Sequence, residues 1–552
     1  MALQPSAQTD RYVHDRLPPR EQWPDLRYEQ PELQALPAQL NAVAWLFDRA
    51  MASGHADRPL FRSDERTLSY AQARTEVNRI ANVLADMGLQ PGNRVLLRGG
   101  NSIAMALAWL AVVQSGLIAV ATMPLLRATE LKAILGKARP SAALCDARLQ
   151  DELRSALAQS GEAGNIPLRL FNTGDAAAPS PDALETLTRH ASDAIAPCPT
   201  SADDVALLAF TSGTTGSPKA AVHTHRDVIA ACETWPRHVL RATPDDTVMG
   251  SPPLAFTFGL GGLLVFPMWA GASVYFPGIP YTPEAMVRLI GQVGATICYT
   301  APTFYRQMAP FAKQLGVGRL RICVSAGEGL PDATRQLWKE ASGIEMLDGI
   351  GATEMFHIFI SAAPPAVRRG AVGRVVPGYQ ARIVDAQGVE VPRGQVGRLA
   401  VKGPTGCKYL DDARQSSYVQ DGWNFPGDAF LQDEDGYFFY QARTDDMIIT
   451  AGYNVAGPEV EATLLQHPAV AECGVVGRPD DERGMIILAY VVLKPGQAGD
   501  AAQVKSLQDH VKQTLAPYKY PREVCFVATL PRTETGKLQR FALRKMAQEA
   551  RS

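Results

Sequence analysis

From Leu207 to Asp227 the chain reads LLAFTSGTTGSPKAAVHTHRD, an apolar run followed by a polar loop that closes on a lysine. Gly213 and Gly216 permit close approach and unusual backbone angles, and Thr211, Ser212, Thr214 and Thr215 supply hydroxyls. With the backbone amides they make a nest that donates to phosphate oxygens. Lys219 adds a mobile positive charge. The spacing differs from that of the G-x-x-x-x-G-K-S/T loop, because Lys219 stands three residues after Gly216 and is followed by Ala220. Taken alone, the same string also suits a solvated turn.

Four later stretches carry further polar chemistry: DGIGATE (Asp348–Glu354), DGWNFPGD (Asp421–Asp428), ARTDDMIITAGYNVAGPEVE (Ala442–Glu461) and PRTETGK (Pro531–Lys537). Together with TSGTTGSPK, and in the same order over most of the chain, they resemble the motifs of the adenylate-forming enzymes. That superfamily comprises acyl-CoA synthetases, peptide-synthetase adenylation domains and firefly luciferase. The resemblance implies a carboxylate that attacks the α-phosphate of ATP, giving an acyl-adenylate and pyrophosphate, and a thiol that then displaces AMP. Charge neutralisation and alignment are the protein's part in such a reaction.

Residue by residue, the resemblance gives the Thr211–Lys219 loop the β- and γ-phosphates. It gives Glu354 the Mg²⁺ ion, a hard cation that prefers oxygen, and Thr353 the α-phosphate. Gly327, Glu328, Asp348, Gly349 and Ile350 fall among the nucleotide-binding positions, with Ile350 where many relatives have tyrosine. Asp428 takes the ribose hydroxyls, and Arg443 meets the ribose at the domain junction. Lys537 is the catalytic lysine that bridges the acid and the α-phosphate, Asp445 the hinge, and Gly452 with Tyr453 the lining of the CoA tunnel. Pairs such as GD, DD and GK are otherwise ordinary turn residues, so these roles come from the family pattern alone. The PRTETGK loop also resembles sites of regulatory lysine acetylation, which implies an acetyltransferase and deacetylase acting on Lys537.

The strings DGIGATEMFHIFIS, SAGEGLP and LPPREQWPDL resemble the benzoate-CoA ligase and 2-aminobenzoate-CoA ligase branch. The implied substrate is an aromatic carboxylate, 2-aminobenzoate first among them. Ala326, Gly327 and Gly351 are small enough to admit a ring, and Phe256, Phe258 and Phe356 are candidate walls. Phe256 stands where many relatives carry an aromatic or histidine gate. His357 suits an ortho or meta substituent, or equally a core histidine bonded to backbone. Tyr299 and Phe304 read as core aromatics. The His223-x-His225 pair lacks a visible third metal ligand.

Positioning such residues requires parallel strands whose carboxyl ends open on one side. Short β-rich runs, Arg94–Gly99, Leu117–Thr122, Val205–Phe210, Ala272–Phe276, Ala295–Thr300 and Arg321–Gly327, alternate with helical ones such as Tyr70–Gly88. After Gly378 the texture turns to hairpins, with turns at Asp385–Gly388 and Pro392–Gly394. From about Asp446 two strands across a charged loop, a helix near Ala501–Leu515 and the strand EVCFVAT make a small α+β unit. The expected architecture is α/β. A large N-terminal AMP-binding domain, residues 1–444, is built of α/β subdomains and a small β-barrel-like one. A small mobile α+β domain, residues 445–552, follows it.

The chain is 552 residues long, 46% hydrophobic and 20% charged, with a net charge of −2. That size requires more than one core, and that charge gives no reason to expect nucleic acid or an anionic membrane as partner. The uncharged segment Ile103–Leu126 is long enough to span a bilayer. However, Gln114-Ser115-Gly116 divides it into a helix-length and a strand-length piece, and the polar, proline-rich stretch Met1–Gln34 lacks the apolar core expected of a secretory signal. Eight scattered cysteines form no C-x-x-C pair and suggest free thiols in a cytoplasmic enzyme. ATP, Mg²⁺ and CoA are the expected cofactors and partners, with a monomer or homodimer as the assembly. No carrier-domain serine motif precedes Ser552, so CoA is expected as acceptor. A separate carrier protein, a silent nucleotide-binding regulator and a light-emitting relative are the competing readings.

Overall fold

A computed structural model describes residues 5–172, 183–211, 218–450, 453–480, 483–515, 517–532 and 538–549. The first helix pair and the first sheet follow from local signals. Helix Tyr70–Asp86 opens with a capping box: Ser69 Oγ accepts from the Gln72 amide at 3.2 Å, and Gln72 Oε1 accepts from the Ser69 amide at 2.9 Å. The uncharged segment divides as its sequence suggests, into helix Ile103–Gln114 and strand Ile118–Thr122. That helix is apolar on every side because it is buried on every side, packed on helices Ala42–Ala52 and Tyr70–Asp86. Among the described residues, no helix is long and apolar enough to cross a membrane.

Six strands form one sheet in the order Leu168–Phe171, Ala142–Asp146, Arg94–Arg98, Ile118–Thr122, Val205–Thr211, Lys219–Thr224. All neighbours are parallel except the last pair, which is antiparallel. The nine-stranded second sheet runs Arg374–Val375, Ile358–Ser361, Met346–Gly351, Ile322–Ala326, Ile297–Thr300, Thr247–Gly250, Ser273–Tyr275, Pro59–Arg62, Thr67–Ser69. Its middle is parallel and its edges antiparallel. One continuous apolar core joins the helices between these sheets to both of them. The hairpin region after Gly378 is a six-stranded antiparallel sheet that includes Gln380–Val384, Gly397–Lys402, Asp428–Gln432 and Phe438–Arg443.

The C-terminal part is a three-stranded sheet of Val470–Asp480, Gly484–Leu493 and Glu523–Phe526. Its strands alternate. Val475, Ile487, Ala489 and Val491 pack under helices Gly457–Leu464 and Ala501–Thr514, while Val476, Leu488 and Tyr490 pack under helix Arg540–Glu549. All eight cysteines are free thiols; six are buried, Cys198 is half-buried and Cys525 is exposed.

Candidate active site

The sequence suggested a loop after a strand; the structure adds that a second strand receives it. Val205–Thr211 and Lys219–Thr224 pair antiparallel with Thr211 opposite Lys219, so the polar loop joins the two strands of a hairpin. Ser212, Gly213, Thr214, Thr215 and Gly216 themselves lie outside the described residues. Thr211 closes its strand with a buried hydroxyl that has no hydrogen-bond partner among the described residues.

Lys219 and Glu354, 135 positions apart in sequence, converge here. Lys219 Nζ donates to the Tyr409 hydroxyl at 2.8 Å and stands 3.5 Å from Glu354 Oε1. The Tyr409 hydroxyl in turn donates to Glu354 Oε1 at 2.5 Å. Glu354 sits in a single 3₁₀ turn, Thr353–Met355, that follows strand Met346–Gly351. The turn is pinned from below, where His223 Nε2 donates to the Thr353 carbonyl at 2.7 Å. Burial holds the His223 pKa below its ordinary value. Its Nδ1 faces Asp227, 3.9 Å away, and Lys408 Nζ reaches the same carboxylate at 3.6 Å. Asp227 is also the capping-box carboxylate of helix His225–Cys232. The two histidines therefore serve structure: His225 Nδ1 accepts from the Ala42 amide at 3.1 Å.

Phe356 adopts φ +70° and ψ −53°, a conformation rare for any residue with a side chain. Its ring is fully buried and meets His223 edge-on at 5.3 Å, so packing holds the strained turn between Glu354 and His357. Gly349 and Gly351 belong to the preceding strand because nothing larger fits. A Cβ would come within 2.7 Å of the Ile358 side chain at the first and 2.6 Å of the His357 carbonyl at the second. Ile350 lies between them, half-buried.

Gly327, at φ +90°, turns the chain after strand Ile322–Ala326, whose last residue, Ala326, is buried. Glu328 accepts from Thr303 Oγ1 at 2.7 Å. Asp348 is buried in its strand, and burial lifts its pKa to about 7 against the opposing charge of Arg335. Asp428 and Arg443 occupy the facing ends of two antiparallel strands.

His357, only three residues after Glu354, enters an aromatic cluster. Its ring centroid lies 5.3 Å from Trp235, 5.5 Å from Phe258 and 4.6 Å from Phe266. Tyr299 completes the cluster at 6.2 Å from Trp235 and 5.7 Å from Phe258. Among the described residues, the Trp235 indole N–H and the Tyr299 hydroxyl are buried without a hydrogen bond, and neither His357 nitrogen makes one of ordinary geometry. Burial drives the His357 pKa down to about 3, with the Phe258 backbone opposing in part. Phe256, half-buried, precedes the short helix Thr257–Leu260. A cavity of about 270 Å³ beside His238, Arg241 and Pro364 shares no lining residue with this cluster.

Gly452 and Lys537 lie outside the described residues. Asp445 belongs to the 3₁₀ turn Thr444–Asp446, and Tyr453 begins strand Tyr453–Ala456. Sequence reasoning passed over Tyr409, Asp227, Lys408 and Trp235, which no short motif marks and which reach the site from separate elements.

With the geometry in place, comparison with known proteins is decisive on the family. Residues 47–408 match the AMP-binding enzyme family, and residues 459–537 match the AMP-binding enzyme C-terminal domain. A benzoate–CoA ligase of Thauera aromatica is 34% identical over 515 residues, covering 92% of this chain and 96% of that one. The crystal structure of the anthranilate CoA ligase AuaEII with anthranoyl-AMP superposes with a TM-score of 0.87 at 33% identity, covering 94% of this chain and 99% of that one. A benzoate CoA ligase from Burkholderia xenovorans LB400 gives 0.83 at 32% identity, covering 91% and 99%. The chain belongs to the AMP-binding enzyme family, the adenylate-forming enzymes. Within it, the protein is an acid–thiol ligase.

Proposed function

We propose that this acid–thiol ligase uses ATP and Mg²⁺ to adenylate an aromatic carboxylate of the benzoate type, 2-aminobenzoate first among them, and passes the acyl group to CoA. The observation that carries the substrate class is the buried cluster of Trp235, Phe258, Phe266, Tyr299 and His357, the last only three residues after Glu354, whose side-chain polar atoms make no hydrogen bond of ordinary geometry among the described residues. Aromatic faces favour a flat ring, and unpaired buried donors favour a ring that carries a polar substituent. The benzoate and anthranilate ligases to which the chain is similar support the same reading.

Glu354 fits Mg²⁺. Among the described residues there is no group of three or more His, Cys, Asp or Glu that would cage a metal. A single buried carboxylate beside the phosphate-loop lysine is what an ion held chiefly through substrate phosphates and water needs. Held by Glu354, a bound Mg²⁺ would supply positive charge that neutralises the phosphates. Lys219 does the same from the hairpin, and Asp428 with Arg443 orients the ribose. The acid's carboxylate oxygen attacks the α-phosphorus, and the bond to pyrophosphate breaks. Lys537 holds both reacting groups in line. The CoA sulfur then attacks the acyl carbon, and AMP departs. Residues 445–552 move as a unit about Asp445 between the two steps and bring Gly452 and Tyr453 to the CoA path. Acetylation of Lys537 would remove its charge and stop the first step.

The test is incubation of purified protein with ATP, Mg²⁺ and CoA across benzoate, 2-aminobenzoate, hydroxybenzoates, phenylacetate and medium-chain fatty acids. Acyl-CoA is read by mass spectrometry, with AMP and pyrophosphate alongside. An aryl-CoA from one or two benzoates is expected. Products from fatty acids alone would overturn the substrate class, and AMP without acyl-CoA would point to a carrier protein as acceptor.

A further inference from the structure

Lys219 and Glu354 carry opposite charges in a largely buried site, yet they do not make a direct hydrogen-bonded pair. Their 3.5 Å separation exceeds the 2.7–2.9 Å or so of a charge-assisted N–H···O bond. The Tyr409 hydroxyl stands between them, accepting from Lys219 Nζ at 2.8 Å and donating to Glu354 Oε1 at 2.5 Å. Its one proton and an acceptor lone pair are both used.

Tyr409 is held there firmly. Residues 408–410 run along the far side of the Lys219–Thr224 strand, with the Leu410 amide donating to the Ala220 carbonyl at 2.9 Å and the Val222 amide to the Lys408 carbonyl at 2.8 Å. The Tyr409 amide donates to Gln415 Oε1 at 2.9 Å, and its ring packs edge-on against Tyr418 at 5.7 Å. Tyr409 is 1% exposed.

We propose that Tyr409 is a positioning residue for Mg-nucleotide binding: its interposed hydroxyl holds the Lys219–Glu354 ion pair at 3.5 Å, short of a direct hydrogen-bonded contact, and leaves each aimed at its ligand. This inference rests on the reading that Lys219 meets phosphate and Glu354 meets Mg²⁺. A direct buried pair would have to be broken, and both its charges re-partnered, before the nucleotide could bind. With the hydroxyl in place, Lys219 leaves a neutral acceptor, and Glu354 keeps one hydrogen bond while its other oxygen stays available.

The variant Tyr409→Phe keeps the ring and removes only the hydroxyl. Calorimetric titration with Mg²⁺ and a non-cleavable α,β-methylene ATP analogue, well below the variant's melting temperature, reads affinity without turnover. Its dissociation constant is expected to rise roughly tenfold or more, the range for losing a hydrogen bond to a charged group. The Mg²⁺ concentration needed for half-saturation should rise with it. In a Lys219→Met background, where no ammonium is left to close on Glu354, the further effect of Tyr409→Phe should shrink to about twofold. This shrinkage separates positioning from mere loss of packing, which the background would not alter. If Lys219→Met and Glu354→Gln each weaken binding but Tyr409→Phe changes it less than twofold, the inference fails and the parent reading stands. If neither Lys219→Met nor Glu354→Gln weakens binding, the parent reading fails and takes the inference with it.

Discussion

Asp428 and Arg443 face each other in register at the ends of neighbouring strands, with Arg443 Nη1 3.3 Å from Asp428 Oδ1 and 2.8 Å from the Pro426 carbonyl. Asp428 is buried and Arg443 exposed. Gly427, at φ +85°, lies against the guanidinium, and a Cβ there would sit 2.7 Å from Arg443 Nη2. A rigid acceptor thus meets a cation that reaches into solvent.

That arrangement predicts a nucleotide effect rather than an acid effect. Asp428→Ala should lower kcat/KM for ATP by roughly 100-fold, the loss of about 2–3 kcal/mol of hydrogen bonding to a charged group. KM for the acid should change little. Arg443→Lys should also weaken ATP, because an ammonium cannot reproduce the guanidinium fork. Pyrophosphate exchange at varied ATP reads both, and an unchanged KM for ATP in Asp428→Ala would remove the ribose assignment.

The aromatic cluster predicts selectivity. Tyr299→Phe or His357→Leu should cost about fivefold in kcat/KM for an amino- or hydroxybenzoate while sparing unsubstituted benzoate, as a neutral hydrogen bond is worth about 1 kcal/mol. Phe256→Ala should broaden the acids accepted. Competition assays with paired acids decide; equal losses on all ring acids would make the cluster a wall without a polar role.

Because the His357 pKa lies near 3, its imidazole is neutral throughout the working range. Ring-substituent preference should therefore be flat from about pH 6 to 9, apart from titration of the acid itself. A step near pH 6.5 in the preference of wild type that is absent from His357→Leu would contradict this.

Stability should respond to pH from both sides. His225 and His357 are both held at about 3, below the ordinary 6.5, so the unfolded chain binds more protons between those values. Their contribution is present above pH 6.5 and is lost as pH falls toward 3. Asp348 works the other way: with its pKa raised from 3.8 to about 7, its contribution is present below 3.8 and is lost as pH rises through 7. Asp348→Asn should show a smaller fall in melting temperature between pH 5.5 and 8 than wild type. An identical fall in both proteins would show that Asp348 ionises freely.

Lys537→Ala should abolish adenylation yet spare thioester formation from supplied acyl-adenylate. Equal loss of both half-reactions would end the assignment of this lysine to the first step. In the same vein, deacetylase treatment should raise the activity of enzyme taken from cells if Lys537 is acetylated there; fully active, unmodified enzyme would count against such control.

The motifs were legible in the sequence because they are local. Gln114-Ser115-Gly116 marks the break between a buried helix and a strand, and the run Arg321–Gly327 reads as a strand that ends on a glycine turn. Each is settled by residues within a few positions of one another. The antiparallel strand Lys219–Thr224 was not legible, since an apolar run after a polar loop reads equally as helix or strand. Tyr409, Lys408 and Trp235 carried no local signal at all.

What the sequence by itself determined was therefore the alternation of elements, the identity of the chemical groups and the family to which they belong. The tertiary structure alone decided which of those groups meet. It brought Lys219, Glu354 and Tyr409 within hydrogen-bonding reach from three separate elements, and it gathered Trp235, Phe258, Tyr299 and His357 into one buried cluster. Such meetings depend on long-range strand pairing and core packing, whose free energy is summed over the whole domain and written in no single stretch of the chain.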